Sequence, residues 1–173
     1  MAVLPLVYYG NPVLKKKSRE VKDFEGLPRM AADMLETMYL HKGVGLAAVQ
    51  VNRPIRVFVM NAEQDAEKGV KGREEVFVNP VLLKLHGKEL ESEEGCLCTP
   101  EVHEMVKRKS LVDIEYLDLK GEKHQEKGVS GPRARIMQHE TDHLDGMLFV
   151  DRISIARKLL LKRELNQIAK DYS

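Results

Sequence analysis

The sequence predicts an α+β fold, in which antiparallel strands occupy the middle of the chain and helices its two ends. Three observations predict it: helical periodicity around residue 34, strand-forming runs between residues 55 and 119, and helical patterns after residue 130. The 173 residues are enough for one domain, residues 1–173, that buries roughly two thirds of its unfolded surface. We find no repeat, low-complexity segment or linker that would divide it.

The first predicted helix covers residues 27–42. Its apolar residues recur at steps of three and four, and Gly43 follows as a stop signal. Residues 55–60 and 76–78 are rich in β-branched and aromatic side chains, which predicts two strands. The charged stretch between them, residues 61–75, is expected to be an exposed loop.

A further strand is predicted over residues 111–119, where apolar and acidic side chains alternate. Gly121 then allows a turn, so we expect an antiparallel hairpin. Ser130, Gly131 and Pro132 are typical of a helix start, and this helix should end near Gly146.

The last helix is predicted over residues 154–170. Four of its apolar residues are expected to face the core because of their helical spacing. They are Ile155, Leu159, Leu160 and Ile168.

Composition favours a soluble cytoplasmic protein. Lysine and arginine number 28 against 27 acidic residues, so no overall field favours nucleic acid or a membrane. The N-terminus lacks a basic leader, and no apolar run is long enough to span a bilayer.

One residue separates Cys96 from Cys98, so a disulfide between them would close a loop too small to stabilise the fold. A metal-binding or reactive role is therefore favoured.

The densest chemical signal is the motif His139-Glu140-x-x-His143. Histidines four apart lie on one face of a helix and can bind one metal ion, while the glutamate between them reaches a bound water. This layout is typical of a metallohydrolase. Two histidines leave a catalytic site one protein ligand short, since such sites use three and keep the fourth position open.

Three positions compete for the third ligand. The extended protease pattern requires a third histidine where this chain has Phe149, so a full match to that pattern is excluded. Glu164 is the only glutamate after His143 and would serve a thermolysin-like site, although no motif supports it. Cys96 offers a thiolate, a strong ligand for zinc(II) and iron(II), with Cys98 packing beside it on one face if the segment is extended.

Taken together, three segments resemble the peptide deformylase family, in its order and at roughly its spacing. They are residues 43–50 (GVGLAAVQ), 94–98 (EGCLC) and 138–146 (QHETDHLDG). The resemblance covers nearly the whole chain and implies antiparallel β-sheets around a central metal-binding helix. It also implies removal of the formyl group from the N-terminal formylmethionine of new polypeptides, with release of formate.

The resemblance also implies roles for individual residues. Cys96, His139 and His143 would be the metal ligands, and Glu140 the catalytic acid and base. Gln50 and the backbone N–H of Leu97 would hold the formyl oxygen. Substrate contacts would involve the residues Gly43, Gly45, Glu94, Gly95 and Ile136, with His103 and Pro132 as further candidates for the pocket wall. Gln138 and Asp142 could orient the ligands, and Arg108 could pair with Asp142.

The implied cofactor is one divalent metal ion, with iron(II) expected as the native ion and zinc(II), nickel(II) or cobalt(II) as alternatives that the ligand set also suits. The implied partners are N-formylmethionyl nascent peptides and, through the basic C-terminal helix, the ribosome. A non-catalytic interaction module with a structural metal is the alternative, although a structural site needs no base such as Glu140.

Two positions depart from the family pattern. Val49 replaces the usual proline, so Gln50 is expected to be held less rigidly. Cys98 replaces the usual serine and should place a second thiol near the metal ligand, with an oxidation route through a Cys96–Cys98 bond. The segment 128–132 is more polar and glycine-rich than is usual, which affects the expected pocket shape and leaves the catalytic positions intact.

Overall fold

Five antiparallel strands form one sheet in the computed structural model, which describes residues 2–63 and 72–172. The strands lie side by side in chain order, and each pairs with the next in the antiparallel sense. They are β1 (Gly45–Ala47), β2 (Val57–Met60), β3 (Glu75–Cys96), β4 (Thr99–Leu117) and β5 (Lys123–Val129). The α+β fold is therefore confirmed, with one sheet rather than several among the described strands. Of the predicted loop 61–75, residues 64–71 lie outside the described part.

The strands β3 and β4 are much longer than the sequence predicts. They form a hairpin of 22 and 19 residues, whereas strand patterns were expected only at 76–78 and 111–119. Much of β3 is exposed and polar, so it lacks the apolar alternation that marks a half-buried strand. Register shifts interrupt the ladder at four places, including the step from Gly95 to Cys96, and such bulges bend a strand.

Helices cover both faces of the sheet beside β2. Phe58 and Met60 belong to the apolar cluster that contains Met137 of α2 (Gly131–Leu144). Val57 and Val59 point the other way, into the cluster of α1 (Leu27–Leu40). All four residues of β2 are buried for this reason. The sheet thus presents one face to α2, the helix that carries the histidine motif.

The C-terminal segment forms two helices, where the sequence predicted one. Helix α3 (Ile155–Leu160) ends at Leu161, and α4 (Lys162–Asp171) begins at the next residue. The expected core face is wrong at three positions: Ile155, Leu159 and Leu160 are exposed, because the break turns α3 away from the core. Only Ile168 is buried as expected, together with Leu165, which the prediction omitted.

Among the described residues, no helix is both long enough and apolar enough to cross a lipid bilayer.

Candidate metal centre and active site

Helix α2 brings the two motif histidines together. The extended backbone of Ser130 and a proline in the first turn start this helix, as the sequence predicts. One turn separates His139 from His143, and their Nε2 atoms lie 3.2 Å apart. Phe149, which occupies the position of a third histidine, stacks on the ring of His139 from within the core.

The end of β3 supplies a sulfur to the same point. Cys96 Sγ lies 3.2 Å from His143 Nε2 and 3.1 Å from Cys98 Sγ. The segment is not extended as the sequence suggested: β3 ends at Cys96 and the chain turns before β4. Both sulfurs still lie together, so the expected second thiol beside the ligand is confirmed. Glu164 lies exposed on α4 and lines neither the cavity described below nor this cluster.

These residues fit a divalent metal ion. Ligand atoms of Cys96, Cys98 and His143 all lie within 4.8 Å of one another, and His139 joins the group through His143. Burial and the neighbouring Cys98 raise the pKa of the Cys96 thiol to about 12. A buried thiolate therefore needs a cation beside it, and metal coordination keeps a cysteine deprotonated. One sulfur and two imidazoles are ligands that zinc(II) and iron(II) accept.

A buried ion-pair network fixes the orientation of His139. Its Nδ1 lies 2.9 Å from Glu94 Oε2, which directs Nε2 toward His143 Nε2. Arg108 donates from Nε and Nη2 to the two oxygens of Glu94, and Arg135 adds a third hydrogen bond. Burial disfavours the charged carboxylate, but the hydrogen bonds from Arg108 and His139 hold the pKa of Glu94 well below its usual range. Glu94 is thus a charged, fixed acceptor for His139.

The predicted pairing of Arg108 with Asp142 is confirmed. Arg108 Nη1 donates to Asp142 Oδ2 at 2.9 Å, and Arg152 binds the same carboxylate. Gln138 does not orient a ligand directly, because its amide donates to the carbonyl oxygens of Lys109 and Ala134. It ties α2 to β4 instead.

Glu140 is a buried carboxylate pressed against β1. Its Oε2 atom has no hydrogen-bond partner among the described residues, and burial raises the pKa of Glu140 to about 7. A Cβ added at Gly45 would lie 2.4 Å from Glu140 Oε1 and 2.9 Å from Ile136 Cγ2. Glycine at position 45 therefore makes room for the carboxylate.

We expect Gly45→Ala to lower the turnover of the metal-loaded protein more strongly than Gly43→Ala. The added methyl at position 45 meets the Glu140 carboxylate, whereas at position 43 the nearest atom is the flexible end of Leu97, 2.9 Å away. Displacing a catalytic group by about 1 Å can cost about 100-fold in rate. Steady-state kinetics of both variants would show this difference, and equal rates would contradict the packing role of Gly45.

The side-chain oxygen of Gln50 is held by a hydrogen bond, and its amide nitrogen lies against Cys96. Its Oε1 accepts a hydrogen bond from the N–H of Ala47 at 2.8 Å, and its Nε2 lies 3.3 Å from Cys96 Sγ. Its backbone carbonyl accepts from the N–H of Val7. Val49 is fully buried, and these contacts hold Gln50 in place. The looser loop expected from valine in place of proline stays a prediction.

A cavity of about 680 Å³ opens onto this cluster. It is lined by most of the site residues expected from the sequence, namely Gly43, Gly45, Gln50, Glu94, Gly95, Cys96, Leu97, His103, Ile136, His139 and Glu140. His143 lies beneath the lining and is buried, and Pro132 is outside it.

Three further lining residues, Arg135, Tyr8 and Tyr172, were not predicted from the sequence. Arg135 stands one turn before His139, a spacing that could have indicated it, whereas the tyrosines come from the two ends of the chain.

A helix-borne histidine pair, a cysteine and a buried glutamate, clustered at one cavity with His143 beneath its lining, define a metal-dependent hydrolase. The polypeptide deformylase family model matches residues 3–158. A peptide deformylase of Christiangramia forsetii is 43% identical and aligns over 97% of this chain and 90% of its own length. One from Brucella suis is 38% identical, over 98% and 95%.

Solved structures agree with this match. The peptide deformylase of Thermus thermophilus superposes with a TM-score of 0.89 at 40% identity, covering 98% of this chain and 99% of its own. That of Plasmodium falciparum gives 0.89 at 38% identity, covering 97% and 96%. The chain belongs to the polypeptide deformylase family and is a hydrolase.

Proposed function

We propose that the cavity binds the N-terminus of formylmethionyl peptides and that the buried cluster hydrolyses the formyl group. One observation carries the proposal: the side chains of Cys96, His139 and His143 lie together, and a cavity of about 680 Å³ is lined by Cys96 and His139 together with Glu140 and Gln50. Family membership names the reaction, which the relatives carry out as peptide deformylases. Residues 1–173 would act as one deformylase domain, as the single described sheet and the length of the family match support.

Cys96, His139 and His143 would hold the metal ion. When bound, the ion lowers the pKa of a water molecule toward neutrality. Iron(II) is our proposal for the native ion, with zinc(II), nickel(II) or cobalt(II) able to occupy the same ligands. The buried carboxylate of Glu94 would keep His139 oriented, and such outer contacts typically change metal affinity about 10- to 100-fold.

Glu140 would act twice as a proton carrier. Its carboxylate accepts a proton from water as the water oxygen bonds to the formyl carbon. When the carbon–nitrogen bond breaks, Glu140 returns the proton to the leaving nitrogen. The products are formate and a free amino terminus. The buried, unpartnered Oε2 supports this assignment, because no neighbouring described side chain occupies it.

Gln50 and the backbone N–H of Leu97 would stabilise the oxygen of the formyl group as negative charge grows on it. The N–H of Ala47 already donates to Gln50 Oε1, so the Nε2 atom of Gln50 is the one that faces Cys96. Donors fixed in advance cost no reorganisation during the reaction, and removing one typically costs about 2.7 to 4 kcal/mol of barrier.

The remaining cavity residues would position the peptide. Gly43 and Gly45 would let the substrate backbone approach β1 as an added strand, since neither carries a side chain. Ile136 would line the methionine pocket, with His103 close to it. Gly95 lies against His103: a Cβ there would lie 2.6 Å from the imidazole, which would have to shift. Glu94, expected as a substrate contact, would act chiefly through His139.

We also propose that basic residues of the C-terminal helices dock the protein on the ribosome, in the bacterial cytosol or an organellar matrix, where formylated chains are made. Six basic residues follow position 151, against two acidic ones. Arg152, Arg157 and Lys158 pair with acidic residues of the fold. Lys162 and Arg163 of α4 are exposed beside Leu159 and Leu160. Reversing the charge of Lys162 and Arg163 should weaken salt-sensitive co-sedimentation with ribosomes, and unchanged co-sedimentation would contradict docking.

Formate release from formyl-Met-Ala-Ser tests the proposed reaction directly. We expect one formate and one free Met-Ala-Ser per substrate consumed, with no cleavage of peptide bonds. Cleavage of unformylated Met-Ala-Ser, without formate from the formylated peptide, would indicate a small metallopeptidase instead.

A further inference from the structure

An aromatic pair, Tyr8 and Tyr172, lines the active-site cavity. The rings of Tyr8 and Tyr172 stack with their centroids 3.8 Å apart and an angle of 21° between their planes. Both residues line the same cavity as His139 and Glu140. Tyr172 is 52% exposed, so part of its surface remains open beside the cavity.

The position of Tyr8 is fixed by its chain neighbours. The N–H of Val7 donates to the carbonyl of Gln50, and the N–H of Tyr9 donates to the carbonyl of Cys98, both at 2.8 Å. The first acceptor belongs to Gln50 itself, and the second, Cys98, follows Cys96 by two residues. The backbone on both sides of Tyr8 is therefore tied to the segments that carry Gln50 and Cys96.

The position of Tyr172 is fixed by α4. Leu165 and Ile168 anchor this helix in the core. The N-terminal segment also lies directly against it, since a Cβ added at Gly10 would come within 2.6 Å of Ala169 Cβ. The two tyrosines are thus brought together by packing on both sides, and their stacking does not depend on the rings alone.

We propose that the Tyr8–Tyr172 pair forms a distal wall of the substrate cavity that binds an aromatic or large apolar side chain downstream of the formylated methionine. This inference rests on the proposed function. A cavity of about 680 Å³ has the size of sites that hold drug-sized ligands, which exceeds what a formyl group and one side chain require. Rings fixed in place bind a further ring by stacking with little loss of conformational freedom.

The test compares formyl-Met-Ala, formyl-Met-Ala-Gly and formyl-Met-Ala-Phe as substrates. The native protein should show a higher kcat/KM for the phenylalanine peptide than for the glycine peptide. Tyr172→Ala and Tyr8→Ala should each lower this preference about 5- to 10-fold, through KM, while Tyr172→Phe keeps it. Both variants should lose less activity on formyl-Met-Ala than on formyl-Met-Ala-Phe, because the shorter peptide lacks the side chain that the wall binds. Leu160→Ala, which changes an exposed side chain of the neighbouring α3, is the matched control.

Two results would contradict the proposed binding role of the Tyr8–Tyr172 pair. One is an unchanged preference in Tyr172→Ala; the other is an equal loss on all three peptides, which indicates a structural role only. Calorimetric binding of the unformylated peptide Met-Ala-Phe separates this inference from the reaction itself. If Tyr172→Ala weakens that binding while the native protein releases no formate, the wall stands and the proposed function fails.

Discussion

Replacing Glu140 by glutamine is expected to lower formate release by about 10²- to 10⁴-fold while leaving the metal content unchanged. Glutamine has nearly the same shape, so it still fits against Gly45, but its amide cannot accept and return a proton. In the proposed function Glu140 carries protons and does not bind the metal, so metal binding should persist. Formate assays and metal analysis on the same preparation would show both effects.

Glu164→Gln provides the matched control, because it makes the same chemical change on the exposed surface of α4. We expect its activity and metal content to equal those of the unsubstituted protein. Loss of metal in Glu164→Gln would support a thermolysin-like ligand set. A Glu140→Gln protein that keeps most of its activity would contradict the role given to Glu140.

Removing the buried guanidinium of Arg108 should lower the free energy of unfolding far more than removing an exposed ion-pair partner such as Lys123. Arg108→Met removes the guanidinium that lies within 2.6 to 2.9 Å of Glu94 and Asp142. The contacts of Arg135 and Arg152 with these carboxylates remain, but they replace neither the position nor the burial of Arg108. Breaking a buried ion pair by deleting one member typically costs about 3–5 kcal/mol, because the other charge stays buried. Urea unfolding would measure this fall in the free energy of unfolding.

Lys123→Met is the control for Arg108→Met. Lys123 pairs with Glu115 at 2.9 Å, but its side chain is 65% exposed, against 3% for Arg108. Exposed ion pairs contribute about 0–1 kcal/mol, so we expect little change. If the two variants unfolded at the same urea concentration, the buried network would not stabilise the fold as described.

The sequence predicted the central helix and its histidines well because their signals are local. The proline near its start and the four-residue spacing of the histidines depend on one turn of helix at a time. Observed α2 (Gly131–Leu144) lies within the predicted span. Cys96 and Gln50 are far from it in the chain, and only resemblance to the family joined them to the site.

Other features depend on long-range packing, which no local pattern reports. The apolar spacing of Leu159 and Leu160 suits a core-facing helix, yet the break at Leu161 exposes both. The contacts of Arg135 with Glu94 and the stacking of Tyr8 on Tyr172 join segments 41 and 164 positions apart, respectively. They arise from the tertiary fold, and propensity gives no sign of them.

Titrating metal-free protein with cobalt(II), while formate release from formyl-Met-Ala-Ser is followed, tests the central claim most directly. In the proposed function Cys96, His139 and His143 hold one ion, so activity should rise in proportion to added metal and reach a plateau at one ion per chain. Cys96→Ala should show no comparable rise. Full activity before any metal is added, or an unchanged titration in Cys96→Ala, would contradict the account.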